Sequence, residues 1–257
     1  MGPMLPILRV LALACLALLP VQAEETLAVA AAADLRGVWG RLGPAFEARH
    51  PGLRVQVSFA ASGTLSAQIR QGAPFDVFLS ADLAFPARLA EEGLGSPEGV
   101  FPYALGRLAL WVRGDLGLDP ARLGFGTLGN PKVRRVVLAN PRVAPYGRAA
   151  EEALRHAGLL EALAPRLVFA ENVAQAGQYL RTGAADAGLV SLSQAEQPDL
   201  KAKGFAWTVP AGAHAPLRQG GLVLKRSAAP RAAQALRAFL LGAEGQALLA
   251  ASGFGKP

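Results

Sequence analysis

The stretch "SFAASGTLSAQI" (58–69) changes period partway along. Val55, Val57 and Phe59 alternate as a strand does, small residues follow, and a helical pattern, capped by Ser62 or Thr64, runs to Gln71 and stops at Gly72. "AAADLRG" (31–37) has the same shape, closing a continuous small apolar run from Thr26 to Ala33 that suits a strand buried on both faces. A helical pattern from Leu35 to Arg49 follows it. Phe75 to Leu79 reads as a third buried strand, and Asp82 as the cap of a helix ending near Gly93. Strand, helix, strand, helix, strand in that order predicts a parallel sheet with helices on its faces.

The second half repeats the scheme after the apolar run Leu105 to Val112. Strands are expected at Val136 to Ala139, Leu167 to Ala170 and Ala187 to Val190, with helices over Pro145 to Ala157 and Val173 to Arg181. A strand at Gly221 to Lys225 and Ala-rich helices from Pro230 to Ala251 end the chain. The expected fold class is α/β, with two doubly wound lobes joined by two crossing strands around a cleft. The crossings are placed near Gly106 and Gly220, so residues 24–105 plus 220–257 form the first lobe and 106–219 the second. Two crossings make a hinge that can open and close the cleft.

The chain has 257 residues, 52% apolar and 18% charged, which supports one large core or two modest ones. Residues 1–23 read as a secretory signal: Arg9 is the lone positive charge, Val10 to Leu19 form the apolar core, and Val21-Gln22-Ala23 gives the small-x-small cleavage pattern. The apolar run is short of the roughly 20 residues that span a membrane, and a lipoprotein reading through Cys15 ranks second. Cleavage before Glu24 removes Cys15, the single cysteine, and lowers the formal net charge from +7 to +6. The basic residues are scattered, which together with secretion argues against a nucleic-acid partner.

Both opening stretches fall at carboxyl ends of predicted strands, where open α/β sheets bind ligands. A helix N-terminus offers unsatisfied N–H groups and about half a positive charge, so several of them converging form an anion site without Arg or Lys. Ala32, Ala33, Ala61, Ser62 and Gly63 are small enough to let a ligand reach the backbone. "NPRVAPYGRAAEEAL" (140–154) and "FAENVAQAGQYL" (169–180) add two openings, with Tyr146 and Val173 at helix starts. Four such openings can enclose a small, symmetric anion.

Together with "GAPFDVFLSAD" (72–82) and "FPYALGRLALW" (101–111), these stretches resemble the periplasmic molybdate-binding proteins of ABC importers through nearly the whole mature chain. The resemblance implies a type II periplasmic binding fold that closes on molybdate or tungstate and delivers it to a membrane permease. It implies no cofactor, no catalysis and a monomer, with molybdenum or tungsten present only inside the bound oxyanion. Family positions that hold the oxyanion through N–H groups and hydroxyls match Ala33, Asp34, Ser62, Tyr146 and Val173. Asp34 departs from the pattern, since the family has Ser or Asn there; Ser191 departs too, where some members carry Tyr.

A carboxylate about 4 Å from each charge of a dianion costs on the order of 4 kcal/mol per charge at an effective dielectric near 20. Asp34 is therefore expected to cap its own helix through the N–H of Arg36 or Gly37, or else to bind protonated as a donor; capping is favoured as the commoner use of Asp at such a turn. An ionised Asp34 facing the cleft would accept the proton of hydrogen phosphate, so sulfate or phosphate stands as the alternative ligand. A secreted α/β hydrolase is disfavoured: Ser62 lacks the first glycine of G-x-S-x-G and has no evident His partner. His50, His156 and His214 lack metal-ligand spacing, Asp76 and Asp82 suit capping and hinge-side structure, and Tyr103, Trp111 and Trp207 suit packing.

Overall fold

The computed structural model describes residues 25–257, so the expected signal segment, its cleavage site and Cys15 lie outside the described residues. The first part of the chain runs β1 (Glu25–Ala32), α1 (Arg36–Glu47), β2 (Leu53–Ala60), α2 (Ser62–Arg70), β3 (Val77–Ser80), α3 (Ala84–Glu91) and β4 (Gly95–Gly106). The second comprises β5 (Leu108–Arg113), α4 (Pro120–Leu123), β6 (Val136–Ala139), α5 (Pro145–His156), α6 (Leu160–Leu163), β7 (Leu167–Ala170), α7 (Val173–Thr182), β8 (Ala187–Ser191), α8 (Leu192–Ala195), α9 (Pro198–Lys201) and β9 (Gly204–Thr208). β10 (Leu217–Leu224), α10 (Pro230–Leu241) and α11 (Ala243–Ala250) return to the first part.

The two sheets have matching orders, β2-β1-β3-β10-β4 and β7-β6-β8-β5-β9. β1 pairs in parallel with β2 over its whole length, from Glu25↔Leu53 to Ala32↔Ala60, and with β3 on its other side. β6 stands in the same relation to β7 and β8. In each sheet the strand beyond the parallel trio is antiparallel: β10 against β3, and β5 against β8. This is the two-lobed α/β architecture expected from the repeated strand-helix pattern.

The chain passes from the first sheet to the second at Arg107, between β4 and β5, and returns between Thr208 and Leu217. The return therefore reaches the first sheet ahead of Gly220, which pairs inside β10 with Ser80 and Pro102. β4 and β9 were not foreseen as strands. β4 carries Pro97 and Pro102, which interrupt a strand pattern, yet it is an edge strand with two register shifts against β10, where missing N–H donors are tolerated.

Each sheet is buried by helices whose apolar faces follow helical spacing. Val38, Leu42 and Phe46 of α1 lie four residues apart and bury against Leu27, Leu79 and helices α10 and α11, while Leu65 and Ile69 of α2 and Leu89 of α3 cover Phe78 on the opposite face. In the second lobe α5 and α7 pack on β6 and β8, and the buried Trp111 of β5 lies against α9, its indole N–H donating to the Leu200 carbonyl at 3.1 Å. Ala32, Ala33, Ala61 and Ala81 of the first lobe join that second core. Small side chains thus let the two lobes close on each other, and the space that remains lies between them.

Candidate functional site

Four openings meet there, each following the carboxyl end of a strand in one of the two parallel trios. β1 ends at Ala32 and turns through a short 3-10 segment, Ala33–Leu35; β2 leads into α2, β6 into α5, and β7 into α7. Ala61 and Ala144, at the caps of α2 and α5, have no side-chain acceptor, so first-turn N–H groups stay free of side-chain caps. Pro145 has no N–H, which makes Tyr146 the first donor of α5. Asn172 caps α7 by accepting from the Gln175 N–H at 3.0 Å, and this leaves the Val173 N–H at the helix start.

These elements surround a small cavity of about 10 Å³, lined by Ala32–Asp34, Ala60–Ser62, Ala81, Ala144–Tyr146, Asn172 and Val173. All five residues expected to hold an anion, Ala33, Asp34, Ser62, Tyr146 and Val173, lie on this one cavity and are buried. Among the described residues, none that lines it is Arg, Lys or His. Any attraction for an anion must therefore come from N–H and O–H dipoles. The Ser62 hydroxyl accepts from the Ala81 N–H at 3.0 Å, which leaves its own proton available to the cavity.

Gly63, read as part of the lining, has a different role. Its N–H donates to the Val143 carbonyl at 2.9 Å, joining the first lobe to the second, and a Cβ there would sit 2.9 Å from that oxygen and 3.1 Å from the Val143 Cα. Gly147 is needed for an equally close approach, since a Cβ on it would overlap the Ala139 carbonyl and push α5 off β6. At the cleft edge Arg148 of α5 forms an ion pair with Asp82, whose other oxygen accepts from the Ala84 N–H at 2.9 Å. Asp82 is thus both the expected cap and a bridge between lobes.

Asp34 does not cap. It is the second residue of the 3-10 turn, fully buried, and its side chain makes no cap hydrogen bond with Arg36 or Gly37. Instead Oδ2 accepts from the Gln219 amide at 2.5 Å, and that amide lies 3.3 Å from the Tyr146 hydroxyl. Tyr103 donates to the Gln219 side-chain oxygen at 2.7 Å. Oδ1 has no protein partner. Burial raises the Asp34 carboxyl to about 6, with hydrogen bonds from Gln219 and Tyr146 opposing the shift. Burial, reinforced by the neighbouring carboxyl, pushes the phenols of Tyr103 and Tyr146 well above their ordinary range.

The sequence reading missed Gln219 and Tyr103 as parts of the site's support, along with Ala60, Ala81, Ala144, Pro145 and Asn172 in its lining. A polar residue within the apolar β10 run was the one signal for Gln219. Ser191 lies behind the turn: its hydroxyl is 2.9 Å from that of Ser193, which donates to the Asp34 backbone carbonyl at 3.1 Å. Trp207 packs edge-on against Phe125, with ring centroids 5.2 Å apart.

Two α/β lobes on a double crossing, closed over a small cavity of helix N-termini, define a solute-binding protein. Residues 27–255 match the model of the bacterial extracellular solute-binding proteins, and the chain belongs to that family. It is 38% identical over 223 residues to the molybdate-binding protein ModA of Rhodobacter capsulatus, an alignment spanning 86% of this chain and 84% of that one. The ModA protein of Azotobacter vinelandii is 36% identical over 243 residues, covering 95% and 93%. The solved structure of the periplasmic molybdate-binding protein of Azotobacter vinelandii superposes with a TM-score of 0.83 at 34% identity, over 90% of this chain and 99% of that one. A sulfate-binding protein of Mycobacterium tuberculosis, SubI, shares the fold at 20% identity with a TM-score of 0.73.

Proposed function

We propose that this chain binds molybdate or tungstate in the closed cavity, outside the cytoplasm, and presents the closed form to the permease of an ABC importer. The observation that carries the reading is a buried, cation-free cavity at converging helix N-termini, set in a chain similar to molybdate-binding proteins along most of its length. The residues proposed to hold the anion are Ala33, Ser62, Tyr146 and Val173 through N–H and O–H donors, with Asp34 beside them. The protein acts as a monomer without catalysis, cofactor or nucleic-acid partner. Residues 24–105 with 220–257, and 106–219, are the proposed lobes, the former boundary shifting to Leu217 if whole strands are counted.

Binding works by closure. An anion that touches both lobes favours the closed form in proportion to its preference for it, and the permease reads that shape. Donors without acceptors select fully deprotonated tetrahedral anions, because a protonated oxygen would leave its O–H unpaired. Calorimetric titration of residues 24–257 with molybdate, tungstate, sulfate and phosphate tests the reading. Tight binding of the first two with little response to the others is expected, whereas preference for sulfate or phosphate would replace the ligand assignment.

Two substitutions probe the contacts. Ser62→Ala is expected to weaken molybdate binding by about 1 to 3 kcal/mol, the loss of one buried hydrogen bond to a charged group, and unchanged affinity would remove Ser62 from the site. Arg148→Ala should cost at most about 1 kcal/mol, and less in high salt, because the Asp82 pair is partly exposed. A tenfold or larger loss in the same titration would show that this bridge, rather than the ligand, holds the lobes together.

A further inference from the structure

We propose that Asp34 sets the selectivity of the cavity by entering the closed complex as a neutral acid, so that closure on a doubly charged oxyanion takes one proton into the protein. The inference rests on the molybdate-binding reading and adds a reactant to it. A proton from solvent forms an O–H bond on Oδ1, which then donates to a ligand oxygen; nothing is oxidised or reduced.

The geometry leaves few alternatives for this carboxyl. It is fully buried on the cavity lining, with Oδ1 free of any protein partner and Oδ2 held by the Gln219 amide. Gln219 is itself fixed by Tyr103, so the carboxyl is not free to turn away as the lobes close. The groups facing it are Gln219 of β10, Tyr146 of α5, Tyr103 of β4, the backbone N–H groups of Asp34 itself and Leu35, which favour the ionised form, and, at its backbone carbonyl, Ser193 of α8. None of them is a cation.

Charged residues on the elements packed against the turn are engaged elsewhere. In α1, Arg36 lies over the Phe59 ring, Arg41 donates to Ser252 and Glu47 accepts from the Val55 N–H. Arg148 of α5 pairs with Asp82, Arg155 pairs with Glu151, and Glu152 accepts from the Ala215 N–H. His156 ends α5, a helix length away from Tyr146. Arg181 of α7 pairs with Asp199, and Arg54 sits at the far end of β2, in register with Thr26. A dianion would therefore meet an ionised Asp34 with no counter-charge beside either of them.

Burial, against the hydrogen bonds that oppose it, already lifts this carboxyl to about 6 in the closed form, and a dianion against it raises the value further. In the open form water reaches the turn and the ordinary carboxyl range applies. At pH 7 the free protein is ionised at Asp34 and the complex is protonated, so binding consumes a proton and weakens as pH rises. The neutral acid also turns the one carboxylate of the lining from an acceptor into a donor. Hydrogen phosphate, whose proton needs an acceptor, then loses the one charged acceptor of the lining.

The test is calorimetric titration of residues 24–257 with sodium molybdate at pH 7, in buffers with different heats of ionisation. Close to one proton taken up per molybdate is expected, together with an affinity that falls by up to tenfold per pH unit between pH 7 and 9. Asp34→Asn should abolish both the uptake and the slope, whatever its affinity. Tight molybdate binding by the unmodified protein without proton uptake would overturn the proposal and leave the functional reading intact, as would uptake that persists in Asp34→Asn. Absence of molybdate binding by the unmodified protein would overturn the functional reading and this proposal with it.

Discussion

Replacing Gly63 with valine is expected to lower molybdate affinity by roughly 30- to 1000-fold while the free protein stays folded. The glycine sits in the first turn of α2, where its N–H crosses to the Val143 carbonyl of the second lobe at 2.9 Å. A Cβ would meet that oxygen at 2.9 Å and the Val143 Cα at 3.1 Å, and both are backbone atoms that cannot rotate aside. Overpacking of this kind costs about 1 to 3 kcal/mol, and the lost inter-lobe hydrogen bond about 1 more. At about 1.4 kcal/mol per decade, the sum gives the stated range. The clash exists only when the lobes are shut, so it acts on the open-closed equilibrium and not on either core. Valine in an exposed helix turn changes stability by a few tenths of a kcal/mol, so the melting temperature without ligand should move by no more than a few degrees. Titration with molybdate beside a thermal melt checks both halves. Affinity within threefold of the parent would mean that Val143 yields and that Gly63 does not gate closure.

The parts of the fold legible in the sequence were those where local pattern and tertiary environment agree. β6 and β7 were read at the residues they occupy, because Val136–Ala139 and Leu167–Ala170 are short apolar runs bounded by charges and turns; β6 is buried along its length as a central parallel strand requires, and β7 keeps the same pattern at the sheet edge. The convergence of Ala33, Ser62, Tyr146 and Val173 followed from the same logic, since strand ends and helix starts fix where an α/β sheet gathers its openings. Asp34 defeated it. Locally an Asp at a strand-to-helix turn is best used as a cap, and only the packing of β10 between β3 and β4 brings Gln219, 185 residues away, onto its carboxyl. Gly63 was misassigned for a related reason: small size near a ligand and small size against another lobe look alike in a sequence, and the Val143 backbone that separates them arrives from the other half of the chain.

Asp76→Ala is the substitution expected to cost most in stability, about 2 to 6 kcal/mol, although it stands well away from the cavity. Asp76 precedes β3 at the end of the strand opposite Ser80, which leads to the cavity residue Ala81. Its buried carboxyl accepts from the Ala28 N–H at 2.7 Å, the Ser227 hydroxyl and Ala228 N–H at 2.8 Å each, and the Ala229 N–H at 3.2 Å. It therefore ties β1 to the segment that enters α10, the helix by which the returning chain covers the first sheet. Alanine would leave the Ala28 and Ala228 N–H groups without their acceptor, while the Ala229 N–H keeps the Ser227 hydroxyl oxygen at 3.2 Å; each unsatisfied buried group costs about 1 to 3 kcal/mol, eased where water enters. Such a loss is a large share of the 5 to 15 kcal/mol that holds a typical domain. Asp186 has the equivalent place before β8, accepting from the N–H groups of Arg134 and Arg135 at 2.9 and 3.0 Å and pairing with Arg113 at 3.3 Å, so the second lobe carries its own pin. Denaturant unfolding should show the midpoint of Asp76→Ala falling sharply, while molybdate titration of the fraction that remains folded keeps the parent affinity. A stability loss below 1 kcal/mol would mean that water replaces the carboxylate at both orphaned donors, and a loss of affinity in the folded fraction would mean that the α10 junction and the cavity move together.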